Sequence, residues 1–196
     1  MQKNWPAIKI IIILCQAFAL NGCASTLIGA GSSVSLAALE ERSNRQIAQD
    51  FSIDAKLRLK FLNAEKGFLI GLNVEVFNGQ VLLTGVLEDN YLVADAISLA
   101  WDTTGVKDVI NEIQVGKTNL KSLTIDTWIT SLLTSKISLD RNIFAINYKI
   151  ETVNRIIYLI GISQSQQELN QVLSHAKNIK GVKRVINYVK LSRAKK

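Results

Sequence analysis

The chain has 196 residues, a formal net charge of +7 and 48% hydrophobic residues. That length accommodates one or two small domains and no more. The first predicted element is a leader: Met1, Gln2 and Lys3 precede an apolar run over residues 10–20, broken only by Gln16. A basic start, a short apolar stretch and a small residue before the cut make residues 1–22 a secretory signal. The run is shorter than the ~20 residues of a membrane-spanning helix.

The end of that segment, Leu20-Asn21-Gly22-Cys23, resembles the lipobox of bacterial lipoproteins. The resemblance implies cleavage after Gly22 and lipid attachment to Cys23; the plain alternative is an ordinary signal followed by a chance cysteine. Cys15 leaves with the leader, so acylation of Cys23 leaves neither free thiol nor disulfide. Acyl chains contribute ~0.8 kcal/mol per buried methylene, and several on one cysteine make a lasting anchor. Residues 23–46 form the lipidated N-terminus and a spacer rich in small residues, turning helical from about residue 36.

The rest of the chain is a duplication. Residues 50–115 match residues 126–191 without a gap at a constant offset of 76, aligning Asp50 with Asp126, Asn78 with Asn154, Gly85 with Gly161, and the Gly-Val-Lys run at 105–107 with that at 181–183. Such self-similarity marks two copies of one unit. The hydrophobic pattern predicts α-β-β-α-β for each, an α+β fold with two helices on a three-stranded sheet. The first copy spans 47–115, a linker covers 116–124, the second copy spans 125–191, and 192–196 are a basic tail.

In the first copy, the opening helix carries Phe51, Ile53, Leu57 and Phe61 as apolar positions, and Leu72, Val74 and Val76 alternate as a strand. Asn78-Gly79 is a hairpin turn, both residues tolerating positive φ. Gly85 in the returning strand marks a bulge or a close helix contact. Asp89 caps the second helix, whose stripe is Val93, Ala96, Ile97 and Ala100. Gly105 ends that helix and 106–115 form the third strand. The second copy repeats the order, with Asn154-Arg155 at its turn.

Charge is split between the copies. The first holds 5 Lys/Arg against 10 Asp/Glu, a net of −5, and the second 9 against 4, a net of +5. The split points to an anionic partner for the second copy. For an exported chain that means phospholipid, cell-wall polymer or acidic protein, not nucleic acid.

Sites for catalysis are missing from the pattern. His175 is the only histidine and reads as a surface or helix-end residue. No nucleophile elbow, phosphate loop or zinc-type spacing occurs. Asp126 and Asp140 bracket a helix and are explained by capping and solvation. Neither an enzyme nor a cofactor or metal is expected.

The α-β-β-α-β order, the strand glycines Gly85 and Gly161, and the paired Gly-Val-Lys runs resemble the BON domain. A lipobox followed by two such domains resembles the dual-BON outer-membrane lipoproteins. That resemblance implies a non-enzymatic protein, lipid-anchored at the outer membrane with its domains facing the periplasm. It further implies binding of anionic phospholipid by the first helix of the second domain and a part in outer-membrane integrity.

That helix is where the copies differ most. Counted at 100° per residue, Ile129, Leu133 and Ile137 match Ile53, Leu57 and Phe61 and face the core. Trp128, Leu132 and Leu139 form a second stripe, where the first copy has Ser52, Lys56 and Asn63. An apolar row with a cationic rim is the pattern of an interfacial helix. Trp128 and Leu132 are expected to insert, Leu139 to lie at the edge, and Lys136 and Arg141 to meet head groups. Two alternatives stand beside this: the stripe docks on the first copy, or it holds an envelope protein partner.

Overall fold

Each copy begins with a capped helix. The Ser43 side chain accepts from Gln46 N and starts α1 (Asn44–Asn63), which buries Ile53, Leu57 and Phe61. A four-residue helix, α2 (Phe68–Gly71), leads into the hairpin of β1 (Leu72–Phe77) and β2 (Gln80–Leu87). Asp89 caps α3 (Asn90–Trp101), and β3 (Asp108–Val115) completes the copy. The second copy comprises α4 (Leu120–Leu139), a 3-10 turn at Ala145–Asn147, β4 (Tyr148–Val153), β5 (Ile156–Ser163), α5 (Gln166–Lys177) and β6 (Arg184–Leu191). The computed structural model describes residues 40, 42–64 and 68–192. The leader, Cys23, most of the spacer and the end of the basic tail lie outside the described residues.

Both sheets have one topology. In the first, β1 runs antiparallel to β2, and β2 runs parallel to β3; in the second, β4, β5 and β6 repeat this. The return from the hairpin to a parallel third strand requires a crossover, which α3 and α5 supply. Gly85 faces Leu72 in unbroken register, so it marks no bulge. A Cβ there would stand 2.1 Å from the Gly71 carbonyl oxygen, and at Gly161 2.1 Å from that of Asn147. The strand glycines therefore permit a close backbone approach.

Several boundaries differ from the expected ones. Both α1 and α4 are 20 residues long and start earlier than their apolar stripes indicate. Asn119 accepts from Lys121 N and starts α4 at Leu120, inside the stretch expected as linker. Phe51 is 73% exposed, because two residues along a helix turn a side chain by about 200°, away from Ile53. α3 ends at Trp101 with Asp102 as its C-cap, so Gly105, at φ 103°, serves the later turn into β3.

Asp50 and Asp126 also have a role other than capping. Both lie inside their helices and are buried. Asp50 accepts from Asn78 N and Gly79 N at 2.8 Å each, and Asp126 accepts from Asn154 N at 2.7 Å and Arg155 N at 2.8 Å. Each carboxylate clamps its hairpin turn to its first helix. The clamp matters most in the second copy, where Arg155 takes φ 67° without being glycine.

The two sheets stack face to face. Along β2, Val81 and Leu83 enter the helix-side core, while Leu82 joins a separate cluster with Phe77, Val153, Tyr158 and Ile160. Along β5, Ile157 and Leu159 face the helices, and Tyr158 and Ile160 face the other sheet. The helices thus form the two outer layers. Polar contacts at the seam exchange equivalent positions: Asn73 Nδ2 donates to Glu151 at 3.3 Å, and Lys149 Nζ pairs with Glu75 at 3.5 Å. The Tyr188 hydroxyl donates to Glu112, its own counterpart at the offset of 76. Contact between counterparts is the mark of an approximate two-fold axis. Burial and the neighbouring Glu112 push the Tyr188 phenol up to about 12, so it remains a donor.

Two outcomes follow from this packing. Asp126→Ala strips acceptors from two turn amides and should cost about 2–4 kcal/mol in denaturant unfolding. A cost near zero would show that the clamp is unnecessary. Burial, with Glu75 beside it, pushes Glu151 up to about 7 against the opposing pull of Arg58 and Lys149. The folded chain then holds a proton that the unfolded chain releases, so this group's contribution falls as pH rises from about 4.5 to about 7. Glu151→Gln should match the parent near the bottom of that window. Above it the variant should be more stable by on the order of 1–2 kcal/mol. Parallel pH–stability curves for the two proteins would rule this out.

Candidate functional site

Sheet-to-sheet docking uses the faces away from the helices, so α4 keeps its outward side free. Trp128 is 51% exposed and Leu139 is 80% exposed. The apolar seam cluster is built from strand residues alone. Leu132 is half-buried against the second helix-side core. Lys136 and Arg141 are exposed. The α4 surface thus presents half of Trp128 and most of Leu139, with Leu132 half-buried between them.

The C-terminal end of α4 is held by local bonds. Asp140 accepts from Asn142 N at 3.0 Å and lies 2.9 Å from His175 Nε2 on α5. The His175 bond, then the Asn142 amide, hold the Asp140 carboxyl below its ordinary range. This tie positions the turn carrying Arg141 and ties His175 to the helix junction.

The first copy shows what lies beside the Trp128 position. There an open groove of about 280 Å³ is lined by α1 side chains, including Ser52 and Lys56, and by Thr104, Gly105 and Lys107 from the loop entering β3. The loops match bond for bond: Lys107 N donates to Gly79 O at 2.8 Å, and Lys183 N to Arg155 O at 2.8 Å. The offset replaces Ser52 and Lys56 by Trp128 and Leu132, and Thr104 and Lys107 by Lys180 and Lys183. Lys180 and Lys183 are both exposed. Sequence reasoning placed the cations on α4 and just after it and missed this loop pair. The signal was present in the offset itself, which turns a threonine into a lysine next to the position where a serine becomes tryptophan.

The chemistry offered is an apolar wedge beside cations. The two aspartates that bracket the helix stripe are engaged structurally, Asp126 on its turn and Asp140 on His175. Among the described residues, no cluster of three metal-ligating side chains occurs, and no helix is long and apolar enough to cross a membrane.

The BON domain family model matches residues 37–117 and 125–193. The chain is 30% identical over 191 residues to the outer membrane lipoprotein DolP of Haemophilus influenzae, covering 94% of this chain and 96% of the relative. It is 40% identical over 147 residues to an uncharacterized protein of the gshII 5′ region in Anaplasma centrale, covering 72% of this chain and 97% of that one. It is 33% identical over 164 residues to the 21 kDa hemolysin of Actinobacillus pleuropneumoniae, covering 82% and 77%. With each match falling on one of the two repeated units, the chain belongs to the BON-domain family and carries two copies of the domain.

Proposed function

We propose that the chain is a lipid-anchored protein of the outer membrane. Its domains face the periplasm, its second BON domain binds anionic phospholipid through α4, and it supports the integrity of that membrane without enzymatic activity. One observation carries this reading. Trp128 and Leu139 stand exposed on α4 where the equally folded first copy has Ser52 and Asn63. Exposed apolar side chains that the fold does without mark an interaction surface. The indole suits the interfacial zone of a bilayer, where its apolar body and polar edge are both accommodated. Lys136 and Arg141 stand exposed toward the far end of the same helix, and Lys180 and Lys183 stand exposed on the loop entering β6. The relationship to an outer membrane lipoprotein across nearly its whole length supports the envelope address and the lipid on Cys23.

Basic side chains near an anionic surface contribute ~1 kcal/mol each, fading within the screening length. The soluble form, residues 24–196, should therefore bind vesicles containing phosphatidylglycerol, and bind them less as salt rises. Trp128→Ser should remove most of that binding and leave the thermal midpoint nearly unchanged, since Ser52 occupies the same site in the first copy. After Trp101→Phe, Trp128 emission should move to the blue on anionic vesicles. An unmoved emission, or equal binding to neutral vesicles, would favour an adaptor that holds an envelope protein by the same face.

Cys23→Ser tests the anchor. The variant should lose lipid attachment and partition into the aqueous phase of a detergent extraction. A variant still cut after Gly22 and still membrane-bound would refute the lipobox reading.

A further inference from the structure

We propose that α1 of the first domain carries a second lipid-contacting face. In this proposal Phe51, Leu59 and Leu62 enter an anionic bilayer, with Arg45 and Lys56 at its border. The proposal rests on the envelope reading above but uses different residues on a different domain.

The stripe is a departure from the fold's needs. Phe51 is 73%, Leu59 58% and Leu62 51% exposed. Their counterparts in the second copy are Thr127, Ser135 and Ser138. At 100° per residue the three fall within a sector of about 80°, on the side of α1 away from Ile53 and Leu57. The small side chains of Ala48 and Ala55 lie in the same sector, so no polar residue interrupts it between residues 48 and 62. Each domain has thus replaced a different polar face of its first helix with an apolar one.

Charge selects the occupant. The first domain is acidic overall, yet beside this sector α1 carries Arg45, Lys56 and Arg58 against Asp54. Arg58 pairs with Asp54 at 2.8 Å and Lys60 with Asp102 at 2.7 Å. Arg45 and Lys56 have no ion-pair partner among the described residues. A second copy seated stripe to stripe would bring these cations against their own equivalents. A bilayer with anionic head groups accepts both the apolar row and its basic border, and it needs no groove on a convex helix.

The two faces lie on opposite outer layers of the stacked sheets, so one flat bilayer cannot engage both fully. A soluble form with two such faces bridges vesicles. Residues 24–196, which retain both helix-side cores and the seam, should raise the turbidity of phosphatidylethanolamine vesicles containing about a quarter phosphatidylglycerol. Phe51→Thr with Leu59→Ser, the residues of the second copy, should reduce that clustering roughly tenfold. Trp128-dependent binding should persist in this variant. Arg45→Glu with Lys56→Glu should reduce clustering as well without touching the apolar row. In a Trp128→Ser background, the residual binding should disappear on adding the α1 changes. Clustering that survives both pairs of α1 changes in proteins with parental thermal midpoints overturns the proposal. So does a change of oligomer mass in place of a change in lipid binding. If Trp128→Ser has no effect while the α1 changes abolish binding, the α4 site fails and this one stands.

Discussion

The stacking of the two sheets is the interaction on which the rest of the structure depends. Each unit is near the lower size limit for an independent core. A three-stranded sheet covered by helices on one side leaves its other side to be buried. Here that side meets its own duplicate, with Leu82, Phe77, Tyr158 and Ile160 forming a third cluster between the two helix-side cores. β2 and β5 are consequently buried on both faces. The two-fold relation places Tyr188 on Glu112 and exchanges Asn73–Glu151 with Lys149–Glu75. Direct bonding between counterparts also explains why the seam residues have diverged. Glu112 facing another glutamate at Tyr188 would bury repulsion, and a tyrosine relieves it.

Because the seam uses the sheets, it leaves both helical layers outward. The first helices are then held chiefly along one stripe, by Ile53, Leu57 and Phe61 or by Ile129, Leu133 and Ile137, and by the buried aspartate that clamps the hairpin. The exposed positions on those helices are released from the fold. The two copies used that freedom differently: the positions of Trp128 and Leu139 are serine and asparagine in the first, and the positions of Phe51, Leu59 and Leu62 are threonine and serine in the second. The released positions are where function could be acquired without loss of stability.

Much of this was legible in the sequence, for identifiable reasons. The constant offset fixed the unit, and Asn78-Gly79 fixed the hairpin by its demand for positive φ. Register then followed from alternation along β1. The start of α4 was not legible, because Leu120 is exposed and Lys121, Ser122 and Thr124 have a linker's composition; the cap on Asn119 decides it. Phe51 was legible only as an apolar position; its phase, about 200° from Ile53, puts it outside the core stripe. Asp126 was taken as a helix-end residue because its hydrogen-bond partners, 28 and 29 positions away, are invisible in local pattern. The exposure of Trp128 depended on which faces dock. A hint lay in β5, whose unbroken apolar run Ile156 to Ile162 suits a strand covered on both sides.

In the proposed function the anchor and α4 do different things. Inserting one Trp and one exposed Leu side chain is worth about 1.5–3 kcal/mol each, and a few lysines add ~1 kcal/mol apiece. Association costs of at least about 4 kcal/mol remove most of that gain. The α4 face alone is therefore a weak binder. A tether on Cys23 changes the problem, because it holds the face at an effective concentration in the millimolar range. The anchor then determines which membrane the chain occupies, and the face determines how the domain lies on it. A weak face is suited to that division: salt or local lipid composition can lift it from the surface while the chain stays attached, exposing α4 to other occupants.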